Sequence, residues 1–303
     1  KGDPNSAFPI CNLARHYFLW GKLKEEEEYV EKCQRLAKQF PKTLALPYWQ
    51  YNLAQLNERK GSYKEADQLY KKALATCGTM FGNMHPYCGV TLIGQSDLYR
   101  KQSHYQDAEN CLQQALKIYE TQYSSEHQDV LEAKVRYARV LAEQGKYKQA
   151  RDLVEEVIKT QQSAVGATDN LTTAKAQNCL GNIYRQYGRY QEAQKALELS
   201  LELETRIKGA DNVDVAITMR DLALVLQDEA NFDEAESLLL SSLATIEKNT
   251  GAEHPERAAG ANALAHAYLR NEKYGEAEPL FKKALQLSES VLGTNHIVTV
   301  SGA

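Results

Sequence analysis

The chain is short of the residues that build many short strands and tight turns, with 7 prolines and 17 glycines in 303 residues. That scarcity disfavours a turn-rich β fold. It has no run near the roughly 18 apolar residues of a membrane span. Mean hydropathy is −0.55, so no membrane insertion is expected. Positive charge is not in surplus: 36 Lys and Arg face 40 Asp and Glu, a net −4. A phosphate-binding face usually needs a basic excess, so nucleic acid is not an expected partner. Cysteine is sparse, at 11, 33, 77, 88, 111 and 179, with no CxxC pair. This usage suits a reduced, cytoplasmic protein better than a disulfide scaffold. There is no Gly-rich phosphate loop, HExxH, Gly-x-Ser-x-Gly or metal-ligand spacing. The expectation is therefore a non-enzyme with no catalytic residue, metal or cofactor. Cys77, His85 and Cys88 invite a zinc reading, but His85 belongs to a repeated column, which favours a structural role. Starting at Lys1 and stopping inside a pattern at Ala303, the sequence reads as a fragment, silent on targeting signals.

What is present is self-similarity. The phrases beginning at Tyr63, Tyr105, Tyr147, Tyr190, Phe232 and Tyr274 each end in alanine: Ala66, Ala108, Ala150, Ala193, Ala235 and Ala277. Those alanines lie 42 or 43 residues apart. A second column follows at Ala73, Ala115, Val157, Ser200, Ser242 and Ala284. A third precedes them at Leu53-Ala54, Tyr137-Ala138, Leu180-Gly181, Leu222-Ala223 and Leu264-Ala265. A fourth holds His85-Pro86, His127, Asp169, Asp211, His254-Pro255 and His296. A degraded copy comes first, with Leu13-Ala14 and Tyr17 in register and Glu26 where the alanine belongs. Each unit reads as two helices, broken at Gly61, Gly145 and Gly188 in three of them. Small residues in the columns leave room where two helices cross closely. Pro279 falls in an early turn of the last second helix, where its missing donor is tolerable if unpaired anyway.

Leu-Ala-x-x-Tyr, Gly-x-Tyr-x-Glu-Ala and Ala-Leu, in that order, resemble the tetratricopeptide repeat. The long period, with Gly82-Asn-Met-His85-Pro86 and Gly251-Ala-Glu-His254-Pro255 between units, is similar to the 42-residue repeats of kinesin light chains and nephrocystin-like proteins. The resemblance implies an all-α fold, a right-handed α-solenoid superhelix of about seven helix-turn-helix units. The chain is read as one array over 1–303, with units at about 5–40, 47–81, 86–123, 128–165, 171–208, 213–250 and 255–292, and 293–303 opening a truncated further unit.

In the resembled family, ligand contacts come from the first helix of each unit, at fixed offsets from the Leu of Leu-Ala. Carried onto this chain, those offsets pick 35 inner-wall positions with nine Lys or Arg and five Asp or Glu, leaving −8 for the remainder. A positive groove on a negative body attracts acidic segments. The fifth unit is the focus. Asn178 and Asn182 lie one turn apart, flanked by Lys175, Arg185 and Gln186. An amide offers a donor and an acceptor to an extended backbone, and the cations suit carboxylates. The peptide site is extended by Arg139, Arg220, Asn262, His266 and Arg270. Phe18, Tyr48 and Tyr51 make a second, aromatic patch near the N-terminus, suited to an apolar anchor, to missing chain or to a second copy. The expected role is an adaptor or scaffold that binds a protein or an acidic peptide. The alternative is a regulatory or targeting region of a larger enzyme or signalling protein. Self-association is expected, if at all, through the aromatic end or the cut C-terminal end.

Overall fold

The structure, a computed structural model, describes residues 7–19, 23–40, 42–43, 45–163, 170–250 and 254–292. The truncated unit at 293–303 lies outside the described residues, as does the side chain of Phe18. Among the described residues there are fourteen helices and no strand: α1 (Ala7–Leu19), α2 (Leu23–Gln39), α3 (Ala45–Arg59), α4 (Tyr63–Phe81), α5 (Pro86–Lys101), α6 (Tyr105–Gln122), α7 (Gln128–Glu143), α8 (Tyr147–Ser163), α9 (Leu171–Gln186), α10 (Tyr190–Lys208), α11 (Val213–Asp228), α12 (Phe232–Asn249), α13 (Pro255–Arg270) and α14 (Tyr274–Leu292). The fold class is an all-α array of helix hairpins. The six aromatic column residues each open a second helix. Two compact units are formed, Lys1–Ala133 and Lys134–Ala303.

The small columns mark close crossings. A Cβ at Gly181 would sit 2.6 Å from Leu197 Cγ and 3.1 Å from the backbone oxygen of Ala193, so α9 and α10 meet almost backbone to backbone. In the first unit a Cβ at Gly94 would lie 2.8 Å from both the Tyr51 and Tyr70 rings. Serine in the second column adds a bond. Ser200 Oγ donates to the Ala174 carbonyl at 2.8 Å, tying the two helices of that hairpin.

The described histidines of the linker column cap helices. His85 Nδ1 accepts the Tyr87 N–H at 3.2 Å, His127 Nδ1 accepts from Asp129 at 3.3 Å, and His254 Nδ1 accepts from Glu256 at 3.2 Å. Asn170 and Asn212 do the same for α9 and α11, at 2.8 and 2.9 Å. These histidines are spent on the helix starts.

Among the described residues, α3, α5, α7, α9, α11 and α13 are each followed by a residue with left-handed backbone. Gly61, Gly145 and Gly188 take φ of 78°, 77° and 71°, but Ser103, Ala230 and Glu272 occupy the equivalent place at 59°, 62° and 59°. A Cβ there carries a steric penalty of roughly 1 kcal/mol. Ala230→Gly and Glu272→Gly are each expected to raise stability by up to about 1 kcal/mol, read from urea midpoints. Pro279 differs from expectation. Ala277 N already donates to Lys273 O at 3.1 Å, so Pro279 lies past the unpaired first turn and costs α14 one helical bond.

Cysteine also departs from the fully reduced state expected. Cys11 and Cys33 are joined by a disulfide, because the α1–α2 crossing brings their Cα atoms to 5.0 Å. On the same helix as Cys33, Glu26, where the column asks for alanine, is 1% exposed. Arg59 Nη1 lies 3.1 Å from its carboxylate. Burial pushes its pKa up to about 7, against the pull of Arg59 and Lys60 and with a further push from Glu27. A carboxyl raised in the fold contributes stability that is complete below about pH 4.5 and is lost as pH rises through about 7. Glu26→Gln is expected to remove that fall. The check is the melting temperature at pH 5 and pH 8 for both proteins.

Candidate functional site

In the second compact unit the first helices α9, α11 and α13 carry most of the residues expected in the peptide site. They are already bonded to one another. Asn178 Nδ2 donates to Thr218 Oγ1 at 3.2 Å and to Asp221 Oδ2 at 3.0 Å. Asn182 Nδ2 donates to the same Asp221 oxygen at 3.0 Å and to Asn178 Oδ1 at 3.2 Å. One carboxylate thus gathers two amides from the preceding repeat. Asn178 thus both donates to Asp221 and accepts from Asn182.

The arginines are paired as well. Arg185 Nε donates to Asp228 Oδ2 at 2.6 Å, and Arg270 Nη1 donates to Asp228 Oδ1 at 2.9 Å. Arg220 Nη1 donates to Glu256 Oε2 at 2.6 Å. Burial works against the Arg220 charge, but Glu256 and Asp221 outweigh it and hold its pKa above the ordinary value. A count of charges taken singly therefore overstates the free positive charge of this face. Its arginines are tied across repeats to Asp228 and Glu256, and Glu256, like Asp221, lies outside the offsets used to choose the inner wall.

A cavity of about 290 Å³ opens beside this ladder, lined by Arg220, Asp221, Asn262, His266, Leu285 and Ser288 among others. Asn262 Oδ1 is buried and without a hydrogen-bond partner. His266 stands edge-on to Phe281, with ring centroids 4.9 Å apart. Burial lowers its pKa, so the imidazole is neutral at pH 7. The geometry offers an open pocket with room for a large side chain, rimmed by a guanidinium, an amide and an imidazole.

Other expected site residues fall differently. Gln186 is exposed at the end of α9, and Arg139, on α7, lies 3.7 Å from Glu143. Lys175 is close enough to Glu204 and Asp214 to act on both: burial still holds the Glu204 carboxyl above its ordinary value, whereas Asp214, against burial, is held below it by Lys208 and, less, by Lys175. In the first unit, Tyr48 stacks on Tyr87 at 3.9 Å. Tyr51 is 5% exposed, its edge against Tyr70 and Tyr87 at 5.8 and 6.1 Å. Tyr51 is thus consumed by packing, because Gly94 lets its ring settle between the helices. Among the described residues no group of three or more His, Cys, Asp or Glu could hold a metal, and no helix is long and apolar enough to cross a membrane.

The tetratricopeptide repeat profile matches residues 45–121, 105–163, 172–248 and 214–290. The chain belongs to the tetratricopeptide repeat family. No curated protein matches it. Among solved structures, it resembles NprR in complex with its cognate peptide NprX at 18% identity and TM-score 0.72, over 97% of this chain and 81% of that one. A Rap protein complexed with Competence and Sporulation Factor resembles it at 11% identity and TM-score 0.70, over 98% and 86%. Nearly identical TPR-like repeats designated a kinesin light chain, from Podosopora anserina, align at 24% identity and TM-score 0.51, over 69% and 98%. At these identities the likeness is one of fold.

Proposed function

We propose that this tetratricopeptide array is a non-enzymatic adaptor that holds an extended segment of a partner protein on the first-helix face of its second unit. The observation that carries this reading is the cavity beside Arg220, Asn262 and His266, adjoining the amide–carboxylate cluster of Asn178, Asn182 and Asp221. A side-chain pocket with the unpartnered amide oxygen of Asn262 in its lining is what an extended peptide requires. NprR and Rap, whose folds this chain shares, were solved with the cognate peptide NprX and with Competence and Sporulation Factor respectively, which supports the reading.

The ligand is acidic in this reading. Its carboxylates take Arg185, Arg220 and Arg270 in exchange for Asp228 and Glu256, an exchange that leaves the number of ion pairs unchanged while adding backbone bonds. Binding therefore weakens as salt rises from about 50 to about 500 mM, because the arginines at the rim are screened. An array of acidic and neutral peptides matched in length is the first measurement. The second is the Asn262→Ala, His266→Ala double variant. Asn262 Oδ1 has no partner within the fold, so its loss costs folding little. Affinity for the best peptide is expected to drop about tenfold, or about 1.4 kcal/mol. Unchanged affinity with an unchanged melting curve would place the ligand elsewhere.

A further inference from the structure

Cys77 lies on α4 and Cys88 in the first turn of α5, so the pair spans the junction between two successive hairpins of the first unit. Both are fully buried. Their Sγ atoms are 2.7 Å apart, closer than two unbonded sulfurs normally approach. Gly82, Asn83 and Met84 form an exposed linker between the two helices. The linker folds back tightly: Gly82 N donates to Gly78 O at 3.0 Å, and Asn83 Oδ1 occupies the space a Cβ on Gly78 would need. The remaining free cysteines, Cys111 and Cys179, are buried, and Cys179 belongs to the other unit.

His85 between them does not complete a metal site. Its Nδ1 is committed to the Tyr87 N–H as the cap of α5. The pair is therefore left with thiol chemistry. Cys88 has the better claim to be the attacking sulfur, since a helix N-terminus favours a thiolate. Burial opposes this, pushing both thiols up from the ordinary value, so reaction runs through opening of the exposed linker. The same unit already holds the Cys11–Cys33 disulfide, so a bonded pair at a helix junction is compatible with this fold.

We infer that Cys77 and Cys88 form a second disulfide, a redox-addressable staple between α4 and α5. The oxidant class is a low-molecular-weight disulfide such as oxidised glutathione. Cys88 Sγ attacks one of its sulfurs, forming a mixed disulfide and releasing one glutathione. Cys77 Sγ then attacks Cys88 Sγ, the protein S–S bond forms, and the second glutathione leaves. The two protons given up by the protein thiols end on the two glutathiones, and two electrons pass to the oxidant.

The whole chain tests this directly, with one variant as the control. Residues 73–99 contain no Lys or Arg, so trypsin releases both cysteines in one peptide ending at Arg100. Fully reduced protein is equilibrated in glutathione buffers of rising oxidation, quenched in acid, unfolded, alkylated and digested. The expected result is that this peptide passes from doubly alkylated to unalkylated, two hydrogens lighter than the dithiol. The peptides bearing Cys111 and Cys179 stay alkylated. In Cys77→Ser, the Cys88 peptide is expected to remain alkylatable or to carry one glutathione. The inference is overturned if the wild-type peptide is still doubly alkylated, or carries two glutathiones, in the buffer where Cys11–Cys33 is fully bonded.

Discussion

Leucine in place of Ala193 is expected to cost about 3 kcal/mol of folding free energy, near the top of the range for overpacking a close helix crossing. Ala193 is fully buried in the first turn of α10. Its carbonyl oxygen faces Gly181 across the crossing, where even a single Cβ on α9 would come within 3.1 Å. Around it Leu197, Leu222, Leu226, Leu239 and Leu243 belong to one core cluster spanning four helices of the second unit. Three added carbons have no void to enter and must push α9 and α10 apart. The measurement is a urea denaturation curve with the midpoint shifted and the slope unchanged. Leu199→Ala is the control, since Leu199 is 40% exposed on the same helix and its loss should move the midpoint little. An Ala193→Leu midpoint equal to wild type would mean that the alanine column does not mark the crossing.

The columns were legible because the same crossing is built repeatedly, and each copy imposes the same steric limit. Ala66, Ala108, Ala150, Ala193, Ala235 and Ala277 are all essentially solvent-free. The turn after the first helices α3 to α13 was only half legible. Glycine announced it at Gly61, Gly145 and Gly188, whereas Ser103, Ala230 and Glu272 adopt the same backbone with no residue signal. The disulfide was missed for a related reason. Cys11 and Cys33 are brought together by a helix crossing rather than by a spacing a sequence motif encodes. In the candidate site, repeat phase brought Asn178, Asn182, Arg220, Asn262 and His266 into one neighbourhood. It missed Asp221, which stands immediately before the core pair Leu222-Ala223. The signal was there: a carboxylate among core residues, one repeat and one residue after Asn178. Asn52 holds the same place in the first unit and donates to the Cys11 carbonyl at 2.7 Å, reaching back to the preceding repeat. That column is where neighbouring first helices talk to each other through polar groups.

Asp221→Ala should therefore cost about 2–3 kcal/mol, although it removes no core hydrocarbon. Asp221 is 9% exposed, and one of its oxygens takes both amides from α9. Without it, Asn182 Nδ2 keeps only bonds within its own helix to Asn178, and Asn178 Nδ2 keeps only Thr218. Thr218 Oγ1 itself donates to Glu204 on α10, so its geometry is fixed and cannot follow. Removing one acceptor thus leaves two partly buried amides short of a strong partner. Asp221→Asn is expected to recover part of the loss, since it keeps a carbonyl oxygen but adds an amino group that competes for space. A double-mutant cycle with Asn182→Ala separates the pair from general damage: the double variant should lose clearly less than the two single losses combined, by about 1 kcal/mol or more. Strict additivity would show that Asp221 and Asn182 act independently, and the inter-repeat ladder would then contribute nothing beyond its members. In a repeat protein such nearest-neighbour links set how cooperatively the stack unfolds. Asp221→Ala is accordingly also expected to lower the urea slope, as the repeats on either side of the broken link begin to melt separately.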